Sequence, residues 1–225
     1  MEAKAIPIEK ISGEGRTAQE DLVAVEAQYR VYMDEKPEFS FTCTPESREE
    51  MVIGSLFSRG YIQSAGEIDS IRISDTEIFV TRKGKAAPPE HAVTAGHQLC
   101  PKTVIQTARS VFNDPDTLFN RTGCAHSCAL MRNGEILCAF EDIGRHNALD
   151  KAIGFALRNG IPMNECAVFT SGRISGDYMA KLIRAKIPIA VSRAAVTSEA
   201  VRLAKEHGIT LYGFVRGNSA NLYNS

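Results

Sequence analysis

Three short, almost wholly apolar runs, CAVFT (166–170), IPIAV (187–191) and ITLYGFV (209–215), alternate with amphipathic stretches in the last third of the chain. No other feature narrows the fold so far. A strand that is apolar on both faces has to be covered on both, and right-handed helical crossovers between such strands make them parallel. The intervening stretches supply those helices. Leu149, Ala152, Ile153, Ala156 and Leu157 share one helical face, and Gly160 and Pro162 stop it. A second helix is expected near residues 177–185, and a third is capped by Thr197 or Ser198 and ended by Gly208. Ahead of them, SCALM and EILCAFE are separated by Arg132, Asn133 and Gly134. Asn-Gly provides the two positive-φ residues of a type I′ turn, so residues 127–141 read as a β-hairpin. With a helix over 102–113, the expectation is a three-layer α/β/α sandwich that begins with a hairpin.

Upstream, the pattern is different. Residues 1–20 are polar and aperiodic, with Gly13 and Gly15, and read as a flexible N-terminal arm. Residues 21–84 read as a small α+β domain. Residues 22–33 (LVAVEAQYRVYM) and 39–42 are strand-like, and Pro45 opens a helix with Met51, Ile53 or Gly54, Leu56 and Phe57 inward and Gly60 at its end. Two further strands are expected around 70–74 and 76–81. Residues 85–101 mix small, polar and Pro residues without period and read as a linker, which leaves 102–225 as the α/β domain.

With 26 Lys plus Arg against 27 Asp plus Glu, the net charge of −1 argues against a nucleic-acid partner bound through overall basicity. The first residues, MEAKAIPIEK, have no apolar leader pattern, and no 18 apolar residues run together, so a cytoplasmic location without membrane attachment is expected. There the six Cys would be reduced: core fillers, ligands or reactive thiols rather than a disulfide frame.

Loops that leave the carboxyl ends of parallel strands share one edge of the sheet, where ligands of open α/β folds bind. Four segments qualify: 141–147 (EDIGRHN), 170–177 (TSGRISGD), 192–199 (SRAAVTSE) and 215–221 (VRGNSAN). Each carries an arginine: Arg145, Arg173, Arg193 and Arg216. Guanidinium forks match phosphate oxygens, and Gly144, Gly172, Gly176 and Gly217 let backbone approach the same anion closely; Ser171 and Gly172 are counted among the binding candidates. Surface arginines paired with local acids are the plainer alternative. His146, at a helix start, either donates to a phosphate or is a satisfied structural residue. No P-loop or G-x-G-x-x-G motif is present.

Among the thiols, Cys100 lies beside Pro101 in the irregular segment, near His91 and His97, where access suits sulfur chemistry. Cys124, His126 and Cys128 have metal-compatible chemistry, but an extended chain places the two cysteines about 13 Å apart. No fourth ligand is evident and no metal is expected.

Taken in order, TGCAHSCAL (122–130), EDIGRHNALDK (141–151), TSGRISGDYMAK (170–181) and ITLYGFVRG (209–217) resemble the FdhD family of formate dehydrogenase accessory sulfurtransferases. The upstream segments VAVEAQYRVYMDEKPEFSFTCTPES and MVIGSLFSRGYI are similar to its N-terminal domain, so the resemblance spans Val23 to Tyr223. It implies a cytidine-deaminase-like C-terminal domain and a homodimer. It further implies sulfur transfer from a cysteine desulfurase to the molybdenum bis guanine dinucleotide cofactor of formate dehydrogenase. The family's cofactor-binding stretch maps onto Phe214, Val215, Arg216, Gly217, Asn218 and Ser219. Zinc deamination is not implied, because neither His-x-Glu nor Pro-Cys-x-x-Cys occurs at the corresponding positions. The family's Cys-Gly-x-Cys-Gly loop, whose first Cys carries the persulfide, has no counterpart here. Cys100 and Cys124 are the candidate sulfur acceptors, and a cofactor-binding escort protein without sulfur chemistry is the alternative.

Overall fold

The computed structural model describes residues 2–83 and 99–225, so most of the expected linker, with His91 and His97, lies outside the described residues. The first described element corrects the reading of a loose arm. Strands β1 (Ala3–Ser12) and β2 (Gly15–Ala24) pair in register from Ala3↔Ala24 to Ser12↔Gly15. The pattern hid them because both faces of the ribbon are mostly exposed. Gly15, at φ 132°, serves the turn. At the root of the ribbon, Ala3, Leu22 and Ala24 pack with Leu118 and Ala125.

The single strand expected over 22–33 is broken after Ala24, and β3 (Ala27–Met33) begins a second sheet with β4 (Lys36–Cys43). The helix expected from Pro45 starts later, because Ser47 has a left-handed φ of 55°. This helix, α1 (Arg48–Arg59), ends at Gly60, φ 87°, as the sequence required. Strands β5 (Ile68–Ile73) and β6 (Glu77–Arg82) complete a sheet of order β4-β3-β6-β5. β3 and β6 are parallel within it.

After residue 98 come α2 (Pro101–Phe112) and a short α3 (Leu118–Thr122) that periodicity did not reveal. The expected hairpin follows as β7 (His126–Arg132) and β8 (Glu135–Asp142), its turn formed by Asn133 at φ 53° and Gly134 at φ 86°. The alternating segment then folds as α4 (Arg145–Arg158), β9 (Ala167–Thr170), α5 (Gly176–Arg184), β10 (Ile189–Ser192), α6 (Ser198–Glu206) and β11 (Thr210–Arg216). Thr197 caps α6 by accepting from the Ala200 N–H. ITLYGFV is not the last strand. The chain turns at Gly217 and returns as β12 (Ser219–Asn224), antiparallel to β11.

The resulting sheet has the order β12-β11-β10-β9-β7-β8, with β9, β10 and β11 parallel and β7 antiparallel to β9. Val104, Ala108, Val111 and Phe112 of α2 cover one face, against Ala129, Met131, Phe169 and Val191. Helices α4, α5 and α6 cover the other, against Cys128, Leu130, Val168, Ala190 and Leu211. This is the expected three-layer α/β/α arrangement, and each buried large aliphatic or aromatic side chain contributes roughly 1.5–3 kcal/mol to it. The apolar core continues through α1 to the inner face of the four-stranded sheet, where Tyr29, Val31, Ile78 and Val80 lie. Two glycines make that continuity possible. A Cβ on Gly54 would lie 1.8 Å from the Asp150 carbonyl oxygen, and one on Gly154 would lie 1.9 Å from that of Glu50. Helices α1 and α4 thus cross backbone to backbone.

Candidate functional site

At the edge where β9, β10 and β11 end, the loops are tied to one another before any ligand is considered. Ile174 donates its N–H to the Ala195 carbonyl (3.1 Å) and Thr197 donates back to Ile174 (3.0 Å), zipping the loops after β9 and β10 together. Ser192 Oγ donates to the Gly172 carbonyl at 2.8 Å, and Phe214 donates its N–H to Ala194 at 2.9 Å. Phe214 adopts φ 51°, unusual for a bulky residue, at a bulge in the β11–β12 pairing. Arg109 of α2 holds the turn that follows, donating to the Gly217 carbonyl at 3.1 Å and to the Asn218 side chain.

A cleft of about 320 Å³ opens on this edge, lined by Arg193, Arg216, Ser171, His126, Ser127 and Ala125, with Phe112, Thr117 and Phe119 from the α2–α3 side. A smaller hollow of about 100 Å³ continues it, sharing Phe112, Arg193 and Arg216 and adding Arg109, Val215 and Gly217. Arg216 Nε donates to the Arg193 backbone carbonyl at 2.8 Å, and the Arg193 guanidinium donates to the Phe112 carbonyl at 3.4 Å, so each side chain is held at the cleft by a backbone acceptor. Of the residues expected from the sequence, Ser171, Arg193, Val215, Arg216 and Gly217 border these hollows. Arg145 and Arg173 stand close enough to lower the pKa of His126, after the larger effect of burial. Gly172 is required by Arg145, because a Cβ there would lie 2.7 Å from Arg145 Cβ. Ser219 donates to the Arg216 carbonyl at 3.2 Å and serves the turn.

His146 is placed elsewhere. It borders a hollow with Asn147, Asp150, Arg59 and Lys181, and its Nε2 lies 3.0 Å from Asp177 Oδ2 without hydrogen-bond alignment. Burial, then Lys181 and Arg145, lower its pKa. His126 takes the position in the cleft instead. Sequence reasoning singled out His126 only as a metal-ligand candidate and missed its place in the cleft, because β7 runs antiparallel to β9, which brings the start of one strand to the end of the other across more than forty residues.

The EDIGRHNALDK motif is explained by a buried ion pair. Lys151 Nζ and Asp142 Oδ2 are 2.8 Å apart, with side-chain exposures of 1% and 0%. The same Asp142 oxygen accepts the Thr44 N–H (3.0 Å) and hydroxyl (3.1 Å), while Oδ1 accepts from Gly144 N (3.0 Å) and Asn147 Nδ2 (2.8 Å). The loop that carries Arg145 is thereby fastened to the end of β4. Asp150 is likewise engaged, by Lys181 and Ser58, each at 2.6 Å.

The six thiols divide cleanly. Burial pushes Cys43, Cys128 and Cys138 up to about 12 and Cys166 up to about 11, so all four stay protonated at neutral pH. Cys100 and Cys124 are exposed. Cys124 immediately precedes Ala125 and His126 at the cleft. Cys100 precedes the 12-residue α2, whose far end supplies Phe112 to the cleft, so about 18 Å of helix separates them. Cys128 Sγ faces the Tyr178 hydroxyl at 3.8 Å inside the core, away from Cys124. Among the described residues, no three His, Cys, Asp or Glu side chains gather to hold a metal ion.

Fold and site together define an α/β/α sandwich protein whose sheet edge is equipped with Arg, His and Ser side chains suited to an anionic ligand. The chain belongs to the FdhD/NarQ family, whose model matches residues 24–102 and 82–225. It is 33% identical to the sulfur carrier protein FdhD of Sulfolobus acidocaldarius, covering 99% of this chain and 97% of that protein. It is 31% identical to the protein of the same name from Listeria innocua, over 91% and 90%. A crystal structure described as a formate dehydrogenase accessory protein from Desulfotalea psychrophila superposes with a TM-score of 0.85 at 31% identity, over 99% of this chain and 97% of that one.

Proposed function

We propose that the protein is a sulfur carrier in formate dehydrogenase maturation, accepting sulfur from a cysteine desulfurase and delivering it to the molybdenum bis guanine dinucleotide cofactor in the cytoplasm. The observation that carries this reading is the joining of Arg193, Arg216, Ser171 and His126 in one cleft of a FdhD/NarQ chain. The donor set suits the cofactor's phosphates: two guanidinium groups and an imidazole backed by the Ser171 hydroxyl, with Phe112 and Phe119 offering apolar surface beside them. At about 320 Å³ the cleft is at the small end of ligand sites and suits one diphosphate-bearing part of the cofactor rather than the whole of it. Arg193 and Arg216 hold the cofactor, and the ordered loops orient it.

One of the exposed thiols, Cys100 or Cys124, is the sulfur acceptor. A thiolate attacks the outer sulfur of the donor persulfide; the new S–S bond forms as the donor's S–S bond breaks, and the donor cysteine leaves as its thiolate, with no net oxidation. The missing Cys-Gly-x-Cys-Gly pair favours a second reading, an escort protein that binds the cofactor without carrying sulfur. Incubation with a cysteine desulfurase and cysteine, followed by peptide mass spectrometry, separates the two. The carrier reading expects one added sulfur on the Cys100 or Cys124 peptide, abolished in the Cys100→Ser/Cys124→Ser variant. A folded protein with no added sulfur on any cysteine leaves the escort reading.

A further inference from the structure

The Ser171 hydroxyl stands between two nitrogens. The Ser127 backbone N–H donates to Ser171 Oγ at 2.9 Å, and His126 Nδ1 lies 3.4 Å from the same oxygen. A hydroxyl has one hydrogen, and here its oxygen already accepts from a backbone donor. The second lone pair of Oγ could accept from an Nδ1–H, but the hydroxyl hydrogen would then have no protein acceptor among the described residues, whereas Oγ–H directed at Nδ1 engages all three groups. Nδ1 is then the acceptor, and a neutral imidazole with an acceptor at Nδ1 carries its hydrogen on Nε2.

We propose that Ser171 fixes the tautomer of His126, so that the imidazole presents an uncharged Nε2–H to the cleft and donates it to a phosphate oxygen held by Arg193 and Arg216. This rests on reading the cleft as a phosphate site. Ser171 is a positioning residue, and His126 is the group that touches ligand.

The surroundings favour the uncharged form. Burial comes first, and then Arg145 from the start of α4 and Arg173 from the loop after β9, all of which disfavour an imidazolium; Asp142 at the end of β8 opposes them. Arg193 and Arg216 flank the same cleft from the β10 and β11 loops. A fifth positive charge would add repulsion in the empty site. An uncharged N–H adds a directed hydrogen bond without that cost, and it tells a phosphate oxygen from a purely apolar group.

Long-range ¹H–¹⁵N correlation spectra of the full-length protein at neutral pH test the pairing, with His126 assigned by its loss in His126→Gln and GDP used as the phosphate probe. Wild type is expected to show the Nε2–H tautomer. In Ser171→Ala the tautomer moves toward Nδ1–H and GDP binds about tenfold or more weakly, the scale of a lost hydrogen bond to a charged acceptor. Ser171→Thr, which keeps the hydroxyl, restores both. A merely structural Ser171 would change thermal stability and leave the tautomer alone. An Nδ1–H or imidazolium signal in wild type, with GDP binding intact, overturns the Ser171–His126 pairing. The Nε2–H tautomer in a wild type that binds no GDP overturns the phosphate reading, and with it the role given to the N–H.

Discussion

Replacing Asp142 by Asn removes the anion of the buried pair and strands an ammonium group. Lys151 Nζ would retain only neutral acceptors: Thr44 Oγ1 at 2.6 Å, the Glu141 carbonyl at 3.1 Å and, when the new amide turns its oxygen that way, that oxygen. The new amide would also point hydrogens at the Thr44 or Gly144 N–H, which now donate to Asp142. Replacing Lys151 by Met is milder, because the carboxylate keeps all four of its other donors. Breaking a fully buried pair costs about 3–5 kcal/mol, and we place Asp142→Asn at the top of that range and Lys151→Met at the bottom. For a chain of this size each kcal/mol moves the melting temperature by about 2–4 °C, so the shifts span about 6–20 °C. The double variant should lose less than the sum of the singles by about 1–3 kcal/mol, since neither then leaves an uncompensated charge. Urea unfolding of the four proteins gives these values directly. Single losses below about 1 kcal/mol that simply add would refute the reasoning, because that is how an exposed pair behaves.

Arg216→Ala should weaken GDP binding about tenfold and flatten its salt dependence by calorimetry, while the protein unfolds at the same urea concentration as wild type, since the side chain is exposed. Gly154→Ala gains about 1 kcal/mol in helix propensity. It nevertheless drives a methyl group to 1.9 Å from the Glu50 carbonyl, so a net loss of about 2 kcal/mol or more is expected in thermal unfolding. His126 and His146 both have pKa values lowered from 6.5. The unfolded chain therefore binds their protons first, and their contribution is present above that value and lost as pH falls through the folded-state pKa values. Stability measured from about pH 7 to pH 5 should fall more steeply in wild type than in a His126→Gln/His146→Gln variant.

What the sequence disclosed was whatever a local pattern can encode. The parallel strands, the Asn133–Gly134 turn, the Gly60 stop and the arginine-bearing loops all follow from periods of two or 3.6 and from residues with special backbone freedom. The β1–β2 ribbon escaped because neither of its faces is mainly apolar. β12 escaped because residues 219–224 mix polar and apolar groups at an edge, where one side needs no covering. His146 was placed with the cleft by its neighbours in the chain, but the first turn of α4 directs it toward Asp177. His126 reaches the cleft only through strand pairing with β9, and Thr44 meets Asp142 and Lys151 only after two sheets have packed. Contacts of that kind have no signature in a short window of sequence.

Formate dehydrogenase activity in cells lacking their own accessory protein bears most directly on the claim that this chain carries sulfur on an exposed thiol. Cells would receive wild type, each single serine variant and Cys100→Ser/Cys124→Ser, all confirmed as soluble and folded. Wild type should restore activity and the double variant should restore none, with whichever single variant also fails marking the obligatory acceptor. Full activity from the double variant would contradict the account and leave a protein that binds the cofactor without handling its sulfur.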